Sequence, residues 1–357
     1  MDEVLRKEEL FLIFNEATRL GISEFTVEEP YFNTKMLEIT LKGASADITL
    51  SPKDAFQRPS SLSNYWDSSD IPSFYDYKDC LISSGLVKYD NWKEFEDWIA
   101  YLYRSETDSS VCGKSVYLSI DTNLAYFRLL SRRFPVSNGK HVITANDFDY
   151  VMSSIVEGEI DHRIMAKYGE TDLKMMGMYT KIGDIRFNFR NRGKLATRKA
   201  KFATQELNYL RETLNSIRVK ATSSKTDSEK NDIRIVESLE NFAWSKDIIL
   251  AIISADRNMG NHAENAEIPY FILELPHRTS KTISTGMDVL LNLLHDLALI
   301  FGAIRIPELE TVLFGIWGGK TDQDYRNESI QAWINANSKI EKSIKRDLKL
   351  IKGFSKS

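Results

Sequence analysis

The sequence predicts an α/β protein built on a parallel sheet with helices on both faces. Three apolar runs carry that expectation, at 116–120 (VYLSI), 248–253 (IILAII) and 270–273 (YFIL). Each has the length of a strand and lacks the apolar–polar alternation of a half-solvated one, as expected of a strand covered on both faces. Segments of helical spacing lie between them, and strands alternating with helices argue a parallel sheet.

Taken in chain order, Leu5, Leu10, Leu12, Ile13, Ala17 and Leu20 predict a helix over 4–21, stopped by Gly21. Residues 36–41 and 47–50 alternate around Gly43 and predict a hairpin. The aperiodic stretch 51–80 reads as a long loop or covering segment. Residues 92–104 predict a helix with Trp92, Phe95, Trp98, Ile99 and Leu102 on a core-facing side. The polar run 105–110 (SETDSS) marks a domain boundary. Helices follow over 124–134, from Asn146 or Asp147 through Val156 to Ile164, and from Asn231 or Asp232 through Phe242. Beyond Pro276 come an apolar helix over 287–301 ended by Gly302, a loop with Gly315, Gly318 and Gly319, and a last helix striped by Ile340, Ile344, Leu348 and Ile351. The expected organisation is an acidic α/β unit over 1–110, the α/β unit over 111–276 with a basic insertion at 181–220, and a helical C-terminal extension over 277–357.

With 42% hydrophobic and 27% charged residues and no apolar run near the ~20 residues that span a bilayer, the composition is that of a globular protein without membrane spans. The acidic start MDEVLRKEEL is unlike a signal peptide, and a cytoplasmic location is expected. Cys80 and Cys112 are the only cysteines and the five histidines are scattered singly, which excludes a disulfide framework and a zinc finger. No Gly-x-Ser-x-Gly elbow raises a serine nucleophile, so acidic chemistry remains. The net charge of −4 is unevenly spread: residues 1–110 carry 11 Lys/Arg against 21 Asp/Glu, residues 181–220 carry 11 against 3, and residues 338–357 carry 7 against 2. The two basic islands are candidates for contact with a polyanion, or solvated helix faces.

In an open parallel sheet, ligands collect at the carboxyl ends of the strands. Two strands end there in aspartate, through Ile120-Asp121-Thr122-Asn123 and Ile253-Ser254-Ala255-Asp256. Carboxylates on neighbouring strand ends repel one another, and a hard cation with oxygen ligands, Mg²⁺ or Mn²⁺, relieves that repulsion.

These motifs resemble the PIN-domain family of nucleases over about residues 114–275. YLSIDTNLAYF resembles the family's opening strand and Asp-Thr-Asn. Ser153 to Ile160 resembles its glutamate helix, with Glu159 in register and Glu157 the alternative. Asp232, backed by Ile233, Ile235 and Val236, resembles the helix-opening aspartate, with Asp247 a rival. IILAIISADRNMGNHAENAEIPYFILEL resembles the closing strand, Ser-x-Asp and helix. The resemblance implies a three-layer α/β/α core and a metal-dependent nuclease in which Asp121, Glu159, Asp232 and Asp256 hold Mg²⁺ or Mn²⁺, which activates water against a phosphodiester. It implies too that Asn123 and Ser254 orient Asp121 and Asp256. RNA is expected over DNA as substrate, by analogy with the family. The alternative is a catalytically silent module that binds nucleic acid or serves assembly. A Rossmann-type small-molecule enzyme is disfavoured by the lack of a Gly-x-Gly-x-x-Gly. In the basic insertion, Arg190, Arg192, Lys194, Arg198, Lys199 and Lys201 are candidate phosphate contacts, and the terminal units are candidates for a homo-oligomer or protein contact. The stretch 315–321 (GIWGGKT) imitates a phosphate loop, but Phe314 stands where its first glycine is needed.

Overall fold

The computed structural model describes residues 2–58, 67–108, 110–137, 139, 141–164, 167–179, 193–221, 228–244, 246–315, 328–335 and 339–354. It divides into two compact units. The first comprises 1–86, 166–199 and 279–357, the second 87–165 and 200–278. The expected boundaries at 110 and 276 give way to this division because strands from both chain-terminal regions share one sheet. Among the described residues no helix is long and apolar enough to cross a membrane.

The first unit is built on an eight-stranded sheet in the order Asp2–Arg6, Ser329–Ile334, Thr311–Phe314, Ala303–Ile306, Glu24–Glu29, Thr34–Lys42, Ser45–Leu50, Thr282–Gly286. Neighbours pair antiparallel throughout. The hairpin expected at 36–50 forms, turning at Gly43 with φ of 66°. Two expectations are corrected. The opening helix covers only Phe11–Arg19, because Asp2–Arg6 pairs along Ser329–Ile334 and the ladder overrides local helical spacing. Residues 277–357 are not a helical extension: four of their segments are strands of this sheet, with the helices Met287–Phe301 and Lys339–Phe354 beside them. Met287–Phe301 is buried along most of its length, and its Asp296 accepts a hydrogen bond from Ser83 Oγ at 2.8 Å. Gly315 lies against this helix so closely that a Cβ there would come within 2.2 Å of Leu299 Cα. Its amide donates to the carbonyls of Ala298 and Gly302. The rest of the imitation phosphate loop, 316–321, is outside the described residues.

The second unit holds a five-stranded, wholly parallel sheet in the order Tyr270–Ile272, Ile249–Ser254, Val116–Ile120, Asp149–Ser153, Ile217–Val219. The three strands expected from their apolar runs are present. Asp149–Ser153 corrects the helix expected to run from 146 or 147 to 164. Tyr150, Val151 and Met152 are buried in consecutive positions, as in a strand covered on both faces, and Ser153 then caps the helix Ser154–Arg163 by accepting from the Ile155 amide. The helix expected over 124–134 is two short ones, Thr122–Tyr126 and Leu129–Arg133, separated at Arg128 with φ of 54°.

Both faces of the sheet are covered. Ile120, Ile253 and Phe271 are aligned across three strands and so share a face. Phe271 meets Phe95 and Trp98 of the helix Trp92–Thr107, each at 5.4 Å between centroids. Tyr117, three residues before Ile120, points to the other face, where it meets Phe242 of the helix Ser228–Trp244 at 5.5 Å. Trp92–Thr107 therefore belongs to the parallel-sheet unit and not to the N-terminal one.

Numbered in chain order, the strands lie 3-2-1-4-5 across the sheet. The chain leaves the first strand in one direction and returns to the fourth on its other side, so the connections diverge above the carboxyl ends of Val116–Ile120 and Ile249–Ser254. That divergence opens a crevice at the switch point of a doubly wound sheet.

Phe95 is fully buried between helix and sheet. Phe95→Ala is expected to lower the stability of this unit by about 3–5 kcal/mol, read from the urea midpoint by tryptophan fluorescence. An unchanged midpoint would show that the helix does not hold the sheet face.

Candidate active site at the strand ends

A cavity of about 490 Å³ lies at the crevice, lined by Asp121, Thr122, Asn123, Tyr126, Glu159, Arg163, Asp232, Asp256, Asn258 and Met259. The four acids singled out in the sequence thus line one cavity from four separate segments. Asp121 and Asp256 follow the two strands that flank the switch point. Glu159 comes from Ser154–Arg163 and Asp232 from Ser228–Trp244, in the second turn of that helix and not at its cap.

Asp121 is 3% exposed and caps the helix Thr122–Tyr126, with Oδ1 accepting from the Leu124 amide at 2.9 Å. Its Oδ2 accepts a short hydrogen bond from Ser254 Oγ. Burial, with a smaller push from the Asp256 charge, raises the Asp121 pKa to about 6 against the hydrogen bonds from Ser254, Leu124 and Ala255. Asp256 caps the helix Arg257–Asn265, accepting from the Asn258 amide at 2.8 Å, while its own amide donates to Ser254 Oγ at 2.8 Å. The Ser254 hydroxyl therefore ties the two strand ends together. Sequence reasoning pairs Ser254 with Asp256, whereas the side-chain bond goes to Asp121. The cause is the register, which aligns Ile253 with Ile120 and so sets Ser254 beside Asp121. Asn123 lines the cavity without a hydrogen bond to Asp121.

Glu159 is held from two sides. Thr122 Oγ1 donates to Oε2 at 2.6 Å and Asn231 Nδ2 to Oε1 at 2.9 Å. Neither donor is anticipated from sequence; Thr122 is part of the Asp-Thr-Asn motif, but Asn231 carries no signal beyond its place beside Asp232. Of the two alternatives, Glu157 is buried in an ion pair with Arg218 and lies 3.8 Å from Arg211, and Asp247 pairs with Lys114 at 2.5 Å before the amino end of its strand. Neither lines the cavity.

All four acids offer hard oxygen donors. No group of three His, Cys, Asp or Glu among the described residues is disposed to hold a metal ion. Mg²⁺ keeps several waters and takes one or two carboxylates together with substrate phosphate, and Asp121 and Asp256, whose charges interact, are the pair that could serve in that way.

The basic insertion is placed in part. Arg190 and Arg192 lie outside the described residues. Lys194 pairs with Asp70 at 3.0 Å, and Lys199 with Asp76 at 2.5 Å and Asp79 at 3.5 Å. Arg198 is buried at 3% exposure and Lys201 is half-buried. Lys194 and Lys199 thus answer carboxylates of the acidic N-terminal stretch, of which Asp70 and Asp76 are nearly buried. No protein-family model matches the chain, and no curated protein matches it.

The raised Asp121 pKa has a thermodynamic consequence. The folded state binds this proton more tightly than the unfolded chain, so the stability linked to it is complete below about pH 4 and lost as pH rises through about 6. Asp121→Asn keeps an oxygen for the helix cap and removes the buried charge. In metal-free buffer the variant is expected to be more stable than the parent by roughly 1–3 kcal/mol above pH 6, with the gap closing toward pH 4. Superimposable denaturation midpoints across that range would contradict the electrostatic account.

Proposed function

We propose that the chain is a metal-dependent nuclease of the PIN type. The observation that carries this is the convergence of Asp121, Glu159, Asp232 and Asp256, from four segments, on one cavity at the switch point of a parallel sheet. Burial and the Asp256 charge weigh against ionisation of Asp121, a cost that a bound cation would relieve. Asp121 and Asp256 would hold Mg²⁺ or Mn²⁺, with Glu159 and Asp232 also lining the cavity. The chemistry that such an ion supplies when bound is activation of water and stabilisation of charge on the phosphoryl and leaving oxygens.

The chain's own residues do the positioning. The Ser254 hydroxyl fixes the Asp121 carboxylate, and the two N-caps fix both strand-end aspartates, so their oxygens are ordered before substrate arrives. Thr122 and Asn231 hold Glu159 in one rotamer. The Asn123 and Asn258 side chains at the cavity can donate to phosphate oxygens. RNA is the favoured substrate by analogy with the family that the motifs resemble.

A second reading, a silent module for nucleic-acid binding or assembly, is favoured by one feature: both Glu159 oxygens are already engaged by protein donors. Incubating end-labelled single-stranded RNA and DNA with the protein separates the two. Cleavage in Mn²⁺ that stops in EDTA, and falls about 100-fold or more in Asp121→Asn, is expected. Cleavage that survives EDTA or the substitution overturns the nuclease reading, and binding without cleavage by the parent promotes the second.

A further inference from the structure

The cavity has an unused wall. Among its described lining residues Arg163 is the one cation and Tyr126 the one aromatic. They sit together: the guanidinium lies 5.9 Å from the Tyr126 ring centroid, with Nη1 donating to the phenol oxygen at 3.4 Å. Their place follows from helix geometry. Tyr126 is four residues beyond Thr122 on one helix, and Arg163 four residues beyond Glu159 on another. Residues four apart share a helix face about 6 Å apart along the axis. The Thr122–Glu159 bond and the Tyr126–Arg163 contact are therefore successive rungs between the same two helices, an acidic rung and, one turn along, a cationic, aromatic one.

We propose that Tyr126 and Arg163 form the subsite for the nucleotide adjoining the scissile phosphate, Arg163 taking its phosphate and Tyr126 stacking on its base. This rests on the nuclease reading and specifies its substrate as single-stranded, since a base paired in a duplex cannot turn its face to a side chain. The electrostatics require such a group. Four carboxylates oppose the entry of a polyanion, and a guanidinium at the edge of the cavity offsets that field where the flanking phosphate must pass. An arginine lying over an aromatic ring is also the pairing that recurs where unpaired bases stack and backbone charge is neutralised at one point.

The test uses the full chain carrying Asp121→Asn, in EDTA, with a fluorescent single-stranded RNA oligonucleotide and its duplex, followed by polarisation between about 50 and 200 mM salt. Added Arg163→Gln is expected to weaken single-strand binding about tenfold and to reduce the salt slope of log K by about 0.7, the loss of one phosphate contact. Tyr126→Leu is expected to weaken it about 5- to 100-fold, from the loss of one base stack, while Tyr126→Phe stays within about twofold of the parent, and duplex binding is insensitive to either change at Tyr126. Parent-like affinity and salt slope in Arg163→Gln, parent-like affinity in Tyr126→Leu, or no measurable binding by the parent overturns the subsite. The unsubstituted chain separates the two levels. Metal-dependent cleavage with no effect of these residues on binding defeats the subsite alone, whereas binding that depends on them without cleavage defeats the nuclease reading and leaves the subsite standing.

Discussion

The register between Val116–Ile120 and Ile249–Ser254 is the constraint on which the second unit turns. Ile120 stands level with Ile253, so the next residue on each strand, Asp121 and Ser254, are neighbours at the sheet's edge. A slip of one residue would part that pair. The same register gives the Asp121 amide its partner in the Ile253 carbonyl and leaves its carboxylate free to cap a helix. A helix then starts directly after each of the two aspartates, and residues of both first turns line the cavity. The site is thus a by-product of where parallel strands stop and helices begin, with the acids at the junctions.

Burial of Asp121 illustrates how such a site differs from a structural cluster. Several other nearly buried carboxylates are answered by cations: Asp70 by Lys194, Asp76 by Lys199, Glu206 by Arg128 and the amides of Leu130 and Ser131. At Asp121 the Asp256 charge opposes ionisation, and hydrogen bonds from Ser254, Leu124 and Ala255 favour it. The charge asymmetry along the chain is explained in part by ion pairing, since cations of the insertion at 181–220 pair with acids of the first 110 residues.

Much of this was legible in the sequence, and unevenly. The strands at 116–120, 248–253 and 270–273 stood out because burial on both faces leaves continuous apolar runs with polar ends. Asp149–Ser153 was hidden because its apolar residues pass straight into those of the next helix, with only Ser153 to mark the break. Ile217–Val219 is three residues long, largely exposed at the sheet edge, and carries no pattern to find. In the first unit, Ala303–Ile306 and Ser329–Ile334 each take one partner from the first thirty residues of the chain, which no local window contains. The same holds within the cavity. Acids at strand ends announce themselves, whereas Asn231, Tyr126 and Arg163 acquire their roles only when separate helices are brought side by side.

The pairing of Asp2–Arg6 with Ser329–Ile334 also bears on how the chain comes into being. Every residue of the second unit has been synthesised by position 278, whereas the eight-stranded sheet lacks its inner strands until about position 334. At about 5–20 residues per second this is a lag of roughly 3–11 s. During that time Asp2–Arg6 has no neighbour at all, and Glu24–Glu29 keeps an unpaired edge until Ala303–Ile306 has been made. The ribosome therefore delivers the parallel-sheet unit complete while the antiparallel one still waits, and an open strand edge in the nascent chain is the state that chaperones exist to shield.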